Sequence, residues 1–309
     1  MGSLDTYIPD PALAEKYVPR EIGIPGVLDI DLYEAAIKGG RKATLLSGPT
    51  GSGKTEGIRA VCAKNGWPLY IVQGSIDVTR EAFCGGPVVN DDPNDLRQFV
   101  PNPGPLVKMV VGHDCAKGYS GTSQYEHTVF VLDEINVVKP AVLVWLNTIN
   151  DDRRALTLPE ERGTPNIRAH KGFAFFGTMN EGHEYTGTRE LNPAVRNRFN
   201  TFPVGYSHQV EDTLLVDLPW MKSARDQLRV AMMAKSADGQ NGIQSTISTR
   251  ALLDFQANVK EWSQHFSEDQ AVDLATEAFL QTCLEQDRVA VQEILRTARG
   301  GGSGYIRAV

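Results

Sequence analysis

The run Ala43-Thr-Leu-Leu-Ser47, followed at once by Gly48-Pro49-Thr50-Gly51-Ser52-Gly53-Lys54-Thr55, decides how this chain is read. The five-residue run is apolar and short, as a buried parallel strand would be. Helical sequence then runs from Lys54 to Lys64 and is stopped by Asn65-Gly66. The octet fits the pattern GxxxxGK[ST] in the strand–turn–helix setting that the pattern requires. Glycines let several backbone N–H groups point into one concavity, and the helix N-terminus adds partial positive charge. All eight residues from Gly48 to Thr55 are therefore candidates for holding the phosphates of a nucleotide, ATP. Lys54 is suited to the β- and γ-phosphates, and the Thr55 hydroxyl to Mg²⁺.

Working outward, Val129-Phe-Val-Leu-Asp133-Glu134 is an apolar strand that delivers two carboxylates at its C-terminal edge, where open α/β sheets bind ligands. Asp133 is the second candidate Mg²⁺ ligand, and Glu134 a candidate to orient and polarise an attacking water. A further strand ends in Gly177-Thr-Met-Asn180; the Asn180 amide can donate to phosphate and accept from water without changing the site's charge. Arg196 and Arg198, in Leu191-Asn-Pro-Ala-Val-Arg-Asn-Arg-Phe199, could each stabilise charge at a neighbouring subunit's γ-phosphate. Read in isolation they are surface cations near a helix end. Ile247-Ser-Thr-Arg250 opens a helix that Ser248 or Thr249 can cap, and Arg250 could then lie over the nucleotide.

The strand leading into Gly177 is expected at Gly172–Gly177 and the remaining strands at Leu69–Val72 and Thr201–Val204, with helices over Ile30–Lys38 and Pro140 to about Asn150. Short apolar strands alternating with helices argue for a five-stranded parallel sheet covered on both faces, an αβα sandwich. Residues 74–127 are too long for a structureless loop and must hide helices and functional loops. Beyond residue 206 the strand signals stop. Leu252, Phe255, Val259 and Trp262, and then Val272, Ala275, Phe279 and Cys283, recur at helical spacing, which predicts a small helical domain.

The five motifs, in this order, resemble those of the AAA+ ATPases. The resemblance implies Walker A at Gly48–Thr55, Walker B at Asp133 and Glu134, sensor 1 at Asn180, arginine fingers at Arg198 and Arg196, and sensor 2 at Arg250. Within that class the chain is similar to the MoxR and dynein-related branch, which includes the Rubisco-activating, nitric-oxide-reductase-activating and gas-vesicle ATPases. The narrower likeness rests on Asn102-Pro-Gly-Pro-Leu106, on Asp151 to Glu160, and on Ala174–Asn180 with Asn192–Phe199. The chain departs from the branch at Glu181, where a proline is usual, and in the length of 181–190.

The resemblance implies a P-loop core over 41–205 with a helix-2 insert at about 83–105, a helical lid over 206–299, and an N-terminal segment 1–40 that contributes to the nucleotide pocket. Tyr17, Val18, Pro19 and Ile22 would line that pocket or pack beneath the core. Residues 300–309 read as a flexible tail. Phe83, Phe99 and Leu106 anchor the insert, to grip a partner or to pack the loop down. The resemblance further implies a homo-oligomeric, usually hexameric ring whose sites are completed by the next subunit. It implies remodelling of a protein client, often one with a von Willebrand factor A domain. Gln73 either restrains Glu134 or is a plain strand-end polar residue.

Composition narrows the field. Thirty-one basic against 38 acidic residues give a net charge of −7, so the chain lacks the overall basic field of a nonspecific nucleic-acid binder. That counts against a DNA-directed motor, and the intact Lys54, Asp133, Glu134 and Asn180 count against a nucleotide-dependent scaffold. Four scattered cysteines with no CxxC pair argue against a disulfide framework or structural zinc, and His113-Asp-Cys115 lacks a second cluster to complete a metal site. No apolar run is long enough to span a bilayer and no signal peptide is visible, so a cytoplasmic protein is expected. Met1-Gly-Ser fits the loose myristoylation pattern but equally a cloning scar.

Overall fold

Strands buried on both faces must be apolar along their whole length, and the central sheet is built from such segments. In a computed structural model of the chain, residues 4–40, 42–90, 98–115, 119, 121–158, 166–180, 191–238 and 242–300 are described. The chain forms two units, one of Met1–Pro49 with Lys54–Val204, the other of Thr50–Gly53 with Gly205–Val309.

The first unit carries a five-stranded sheet of β1 (Ala43–Gly48), β2 (Leu69–Gln73), β3 (Thr128–Asp133), β4 (Phe173–Asn180) and β5 (Phe199–Pro203). The order is β2-β3-β4-β1-β5 and every pairing is parallel. Side chains alternate across the pleat. Leu45, Phe130, Leu132 and Phe175 enter one core with Leu106 and Leu143. Their neighbours Leu46, Val129, Val131 and Phe176 enter the other with Ile58, Val61 and Tyr33. The helices covering these faces include α1 (Asp29–Gly39), α2 (Lys54–Asn65), α3 (Pro105–Val111) and α4 (Pro140–Leu146). Proline opens both α3 and α4, where its missing N–H costs nothing.

Two strands differ in extent from the sequence reading. β4 runs on to Asn180 because its ladder with β1 continues to the pair Gly48–Asn180. β5 begins at Phe199, a buried residue that pairs with Ala43. The long segment 74–127 contains a helical turn at Arg80–Cys84, α3, and an antiparallel hairpin of Gly85–Val89 with Phe99–Pro103. Phe83 and Leu106 are fully buried, so at these two positions the insert is packed down.

The second unit is helical: α5 (His208–Leu214), α6 (Trp220–Asp238), α7 (Thr249–Trp262), α8 (Glu268–Gln281) and α9 (Arg288–Ala298). Its core joins Leu228, Leu252, Phe255, Val259, Val272, Phe279 and Leu295. Ser207, Ser248 and Ser267 each accept a backbone N–H at a helix start, and Ser267 with Gln270 completes a reciprocal cap. Cys62, Cys84, Cys115 and Cys283 are not joined in disulfides. Among the described residues no helix is long and apolar enough to cross a membrane. The segments 181–190, 301–309 and the end of the Asp151–Glu160 stretch lie outside the described residues.

Candidate functional site

β1, β3 and β4 are adjacent in the sheet, so their C-terminal ends come together. Register places Gly48 beside Asn180, and Leu132 beside Gly177. Gly48 has φ +157°, and a Cβ there would lie 2.1 Å from the Val204 carbonyl oxygen; only glycine allows the loop to leave the strand at that point.

Lys54, the first residue of α2, is buried at 6% exposure. Its ammonium donates to the Gly48 carbonyl at 2.9 Å, the Pro49 carbonyl at 2.8 Å and Asn180 Oδ1 at 3.0 Å. Acceptors of this kind let an ammonium keep hydrogen bonds when it is buried. The other end of the same amide, Asn180 Nδ2, donates to Glu134 Oε1 at 2.9 Å. One side chain thus reads both the lysine and the carboxylate.

Asp133 ends β3. Its Oδ2 accepts from the Thr55 hydroxyl at 3.3 Å, and its Oδ1 accepts from the buried Thr178 hydroxyl. Thr178 also accepts from the Glu134 backbone N–H at 3.1 Å. Glu134 itself sits at φ 51°, ψ 47°, a left-handed conformation uncommon outside glycine and held here by these bonds. Asn136 Nδ2 donates to the Asn180 carbonyl at 3.3 Å. Thr55 and Asp133 thus offer a hydroxyl and a carboxylate side by side, hard oxygen donors of the kind Mg²⁺ takes. Gln73 pairs in register with Asp133 but its side chain is exposed; the side chain that bonds Glu134 is that of Asn180.

The structure does not bring the arginines of the Leu191–Phe199 stretch to this cluster. Arg196 ends the turn Pro193–Arg196 with an exposed side chain. Arg198 donates to the Ala194 carbonyl at 3.3 Å, while its buried Nε has no partner among the described residues. It lines a cavity of about 550 Å³ with Lys42, Thr44, Asp151 and Asn200. Arg153, bound to Asp151, holds that carboxyl below the usual carboxylate range, and Arg198 adds to the effect.

In the second unit Ser248, rather than Thr249, caps α7, accepting from Ala251 N at 3.1 Å. Arg250 lies in the first turn with an exposed side chain. A Cβ added to Gly51 would lie 2.7 Å from Ser248 Cβ and 3.2 Å from Arg250 Cβ, so the loop tip passes this helix start with no room for a side chain.

Tyr17 is bound into a buried cluster. Its hydroxyl donates to Asp29 Oδ2 at 2.5 Å, and Arg20 Nε meets the same oxygen at 3.0 Å. A Cβ on Gly57 of α2 would lie 2.8 Å from the Tyr17 oxygen. Burial, first of all, pushes the Tyr17 phenol well above its ordinary value.

Sequence reasoning passed over Thr178 and Asn136. Thr178 stood inside the quoted Gly177–Asn180 run, but a threonine in a strand is ordinary β sequence. Only the ladder between β3 and β4 reveals that its hydroxyl reaches Asp133.

Comparison with known proteins adds the following. The family model described as AAA domain (dynein-related subfamily) matches residues 43–199. An uncharacterized protein of Staphylococcus haemolyticus is 34% identical over 166 residues, covering 53% of this chain and 56% of that protein. One of Staphylococcus aureus strain USA300 is 33% identical over the same shares. The chain spans about half the length of the curated relatives it matches. Among solved structures, NtrX from Brucella abortus in complex with ADP has a TM-score of 0.48 and 12% identity, covering 94% of this chain and 65% of that one. A Thermotoga maritima RuvB mutant has a TM-score of 0.45 and 18% identity, covering 89% and 77%.

Proposed function

This chain belongs to the dynein-related subfamily of AAA domains, and from that premise we propose that it is an oligomeric, Mg²⁺-dependent ATPase that remodels a protein partner. The observation that carries the reading is the continuous chain Lys54–Asn180–Glu134, in which one amide accepts from the cation at 3.0 Å and donates to the carboxylate at 2.9 Å.

The Lys54 ammonium, held by the Gly48 and Pro49 carbonyls and the Asn180 amide oxygen, would exchange such acceptors for β- and γ-phosphate oxygens. The loop Gly48–Thr55 contributes backbone N–H groups to the same phosphates. Thr55 and Asp133 are the residues that would hold Mg²⁺. When bound, that ion neutralises charge building on the phosphate oxygens. Glu134 receives or polarises the proton of the attacking water, and Asn180 fixes the carboxylate's direction. The strained backbone at Glu134 aims that carboxylate, and the Thr178 hydroxyl keeps the strain in place.

Arg198 is proposed as the group supplied to a neighbouring subunit's γ-phosphate, with Arg196 as a second trans-acting cation and Arg250 as a phosphate contact from the helical unit. The Arg198 Nε, which has no partner among the described residues, supports a partner from another copy of the chain, in a ring that family resemblance implies is usually a hexamer. The helical unit is the proposed moving output. The client is proposed to be a protein, with von Willebrand factor A domains the first to try, and cysteines not joined in disulfides support a cytoplasmic setting.

The test is ATP turnover by wild type and by Glu134→Gln, with nucleotide binding measured alongside. Glu134→Gln is expected to bind ATP as wild type does and to turn over ~10²- to 10⁴-fold more slowly. Equal, near-zero turnover by both proteins, with ATP bound, would point instead to a scaffold. The arrested variant in ATP is also the bait for recovering the client.

A further inference from the structure

The tip of the phosphate loop, Thr50–Gly53, folds with the helical unit, and inside that unit a line of contacts starts from it. The Tyr206 hydroxyl donates to the Thr50 carbonyl at 2.9 Å. The Arg229 guanidinium lies over the Tyr206 ring, 3.7 Å from its centroid. Arg229 donates to the Ile247 carbonyl and, at 2.6 Å, to Glu211 Oε1. That same oxygen accepts from the Thr249 hydroxyl at 2.6 Å. Thr249 is the first residue of α7 and Arg250 is the second. The line therefore returns to the helix start that Gly51 passes without room for a Cβ.

Glu211 and Arg229 are 1% and 5% exposed. Burying a carboxylate and a guanidinium is a poor way to gain stability, because desolvation offsets much of their attraction and an apolar pair of similar volume often serves as well. The unit has an apolar core of its own in Leu228, Leu252 and Phe255. What a buried pair does supply is direction. Glu211 Oε1 takes donors from two different segments, and Arg229 stacks on a third, so the mutual placement of α5, α6, the α7 start and Tyr206 is specified by hydrogen bonds rather than by volume.

We infer that Glu211 is a positioning residue of the nucleotide site: through Arg229, Tyr206 and Thr249 it ties the first turn of α7, and hence Arg250, to the Thr50 carbonyl of the phosphate loop. The inference rests on the reading that this loop holds the nucleotide's phosphates. It adds that the loop tip and Arg250 are placed by one shared carboxylate and respond to the nucleotide together.

The experiment uses the full chain and four variants: Tyr206→Phe, Thr249→Val, the two combined, and Glu211→Gln. Tyr206→Phe keeps the ring under Arg229 and removes only the hydroxyl on Thr50. Fluorescent ATP and ADP analogues give affinities, steady-state turnover gives KM and kcat, and thermal unfolding reports stability. Tyr206→Phe and Thr249→Val are each expected to raise KM and the ATP Kd by about three- to tenfold, the size of one lost hydrogen bond, with kcat within about twofold. Tm should fall by no more than a few degrees, about what one lost hydrogen bond costs. The double variant should be no weaker than the worse single one, since a line broken once is broken. Glu211→Gln should weaken ATP binding at least as much. Wild-type Kd and KM in the single variants, or effects that multiply independently in the double one, would overturn the inference. Should Glu211→Gln not fold, the Tyr206 and Thr249 pair still decides. Lys54→Ala run alongside separates the two levels: if it binds ATP as tightly as wild type, the phosphate-loop reading itself has failed.

Discussion

Two cations mark opposite ends of the same sheet, and they are treated differently by their own chain. At the carboxyl ends of the strands, Lys54 is buried and donates to the Gly48 and Pro49 carbonyls and to Asn180. At the amino ends, near Thr44 and Asn200, Arg198 lines a cleft with one carbonyl partner and a buried Nε that finds none among the described residues. A charge supplied with local acceptors is set for a ligand that takes their place on the same donors. A charge left short of acceptors is set for one that arrives from outside. The proposed division of labour, phosphate binding in cis by Lys54 and charge stabilisation in trans by Arg198, follows from that contrast.

The largest effect should separate the two. Arg198→Ala is expected to lower kcat by about 10³-fold while nucleotide affinity stays near wild type. Lys54→Ala should instead weaken nucleotide binding by about 100-fold, having lost charge-assisted contacts to phosphate. Mixing the two variants should restore part of the turnover at hybrid interfaces, read as activity against mixing ratio. Intact rings without rescue, or an Arg198→Ala protein that loses affinity rather than turnover, would erase the contrast.

A smaller effect belongs to the carboxyl end alone. Thr178→Val keeps the shape of a fully buried side chain but leaves an Asp133 oxygen and the Glu134 N–H without their hydroxyl. Turnover should fall about tenfold, with a loss of stability of about 1–2 kcal/mol in denaturant titration. Unchanged kcat would mean that Glu134 is aimed by something other than this bond.

The smallest effect belongs to the amino end and touches stability only. His170 bonds Thr128, the first residue of β3, at 2.7 Å. Burial, with His127 and Arg154 adding to it, lowers its pKa from 6.5 to about 4. Between those values the unfolded chain binds a proton that the folded one does not, so stability rises with pH across the window. Tm should therefore fall as pH drops from about 6.5 to 4, and His170→Gln should flatten that slope.

Much of the site was legible in the linear chain because each motif is local. A strand, a glycine turn and a helix must be contiguous to form the phosphate loop, and two carboxylates at the end of an apolar strand need no partner to be noticed. Asn180 was legible as a strand-end amide, but its double contact was not. Donation to Glu134 and acceptance from Lys54 join positions far apart in sequence, and only strand order brings them within 3 Å. Thr178, Tyr206, Glu211 and Arg229 are residue types common in strands and helices, so nothing in their spacing distinguishes them.

The amino-acid order by itself determined that this is a parallel α/β unit followed by a helical one, with the phosphate loop between the first strand and its helix. Hydrophobic period and turn chemistry act over a few residues and are written in sequence. Tertiary structure alone decided which polar groups share a proton donor, that Lys54 meets Asn180 while the Arg198 Nε finds no partner among the described residues, and that the Tyr17 hydroxyl bonds Asp29. Those outcomes depend on hydrogen bonds, whose reach is about 3 Å, between segments that the sheet order, and not the chain order, makes neighbours.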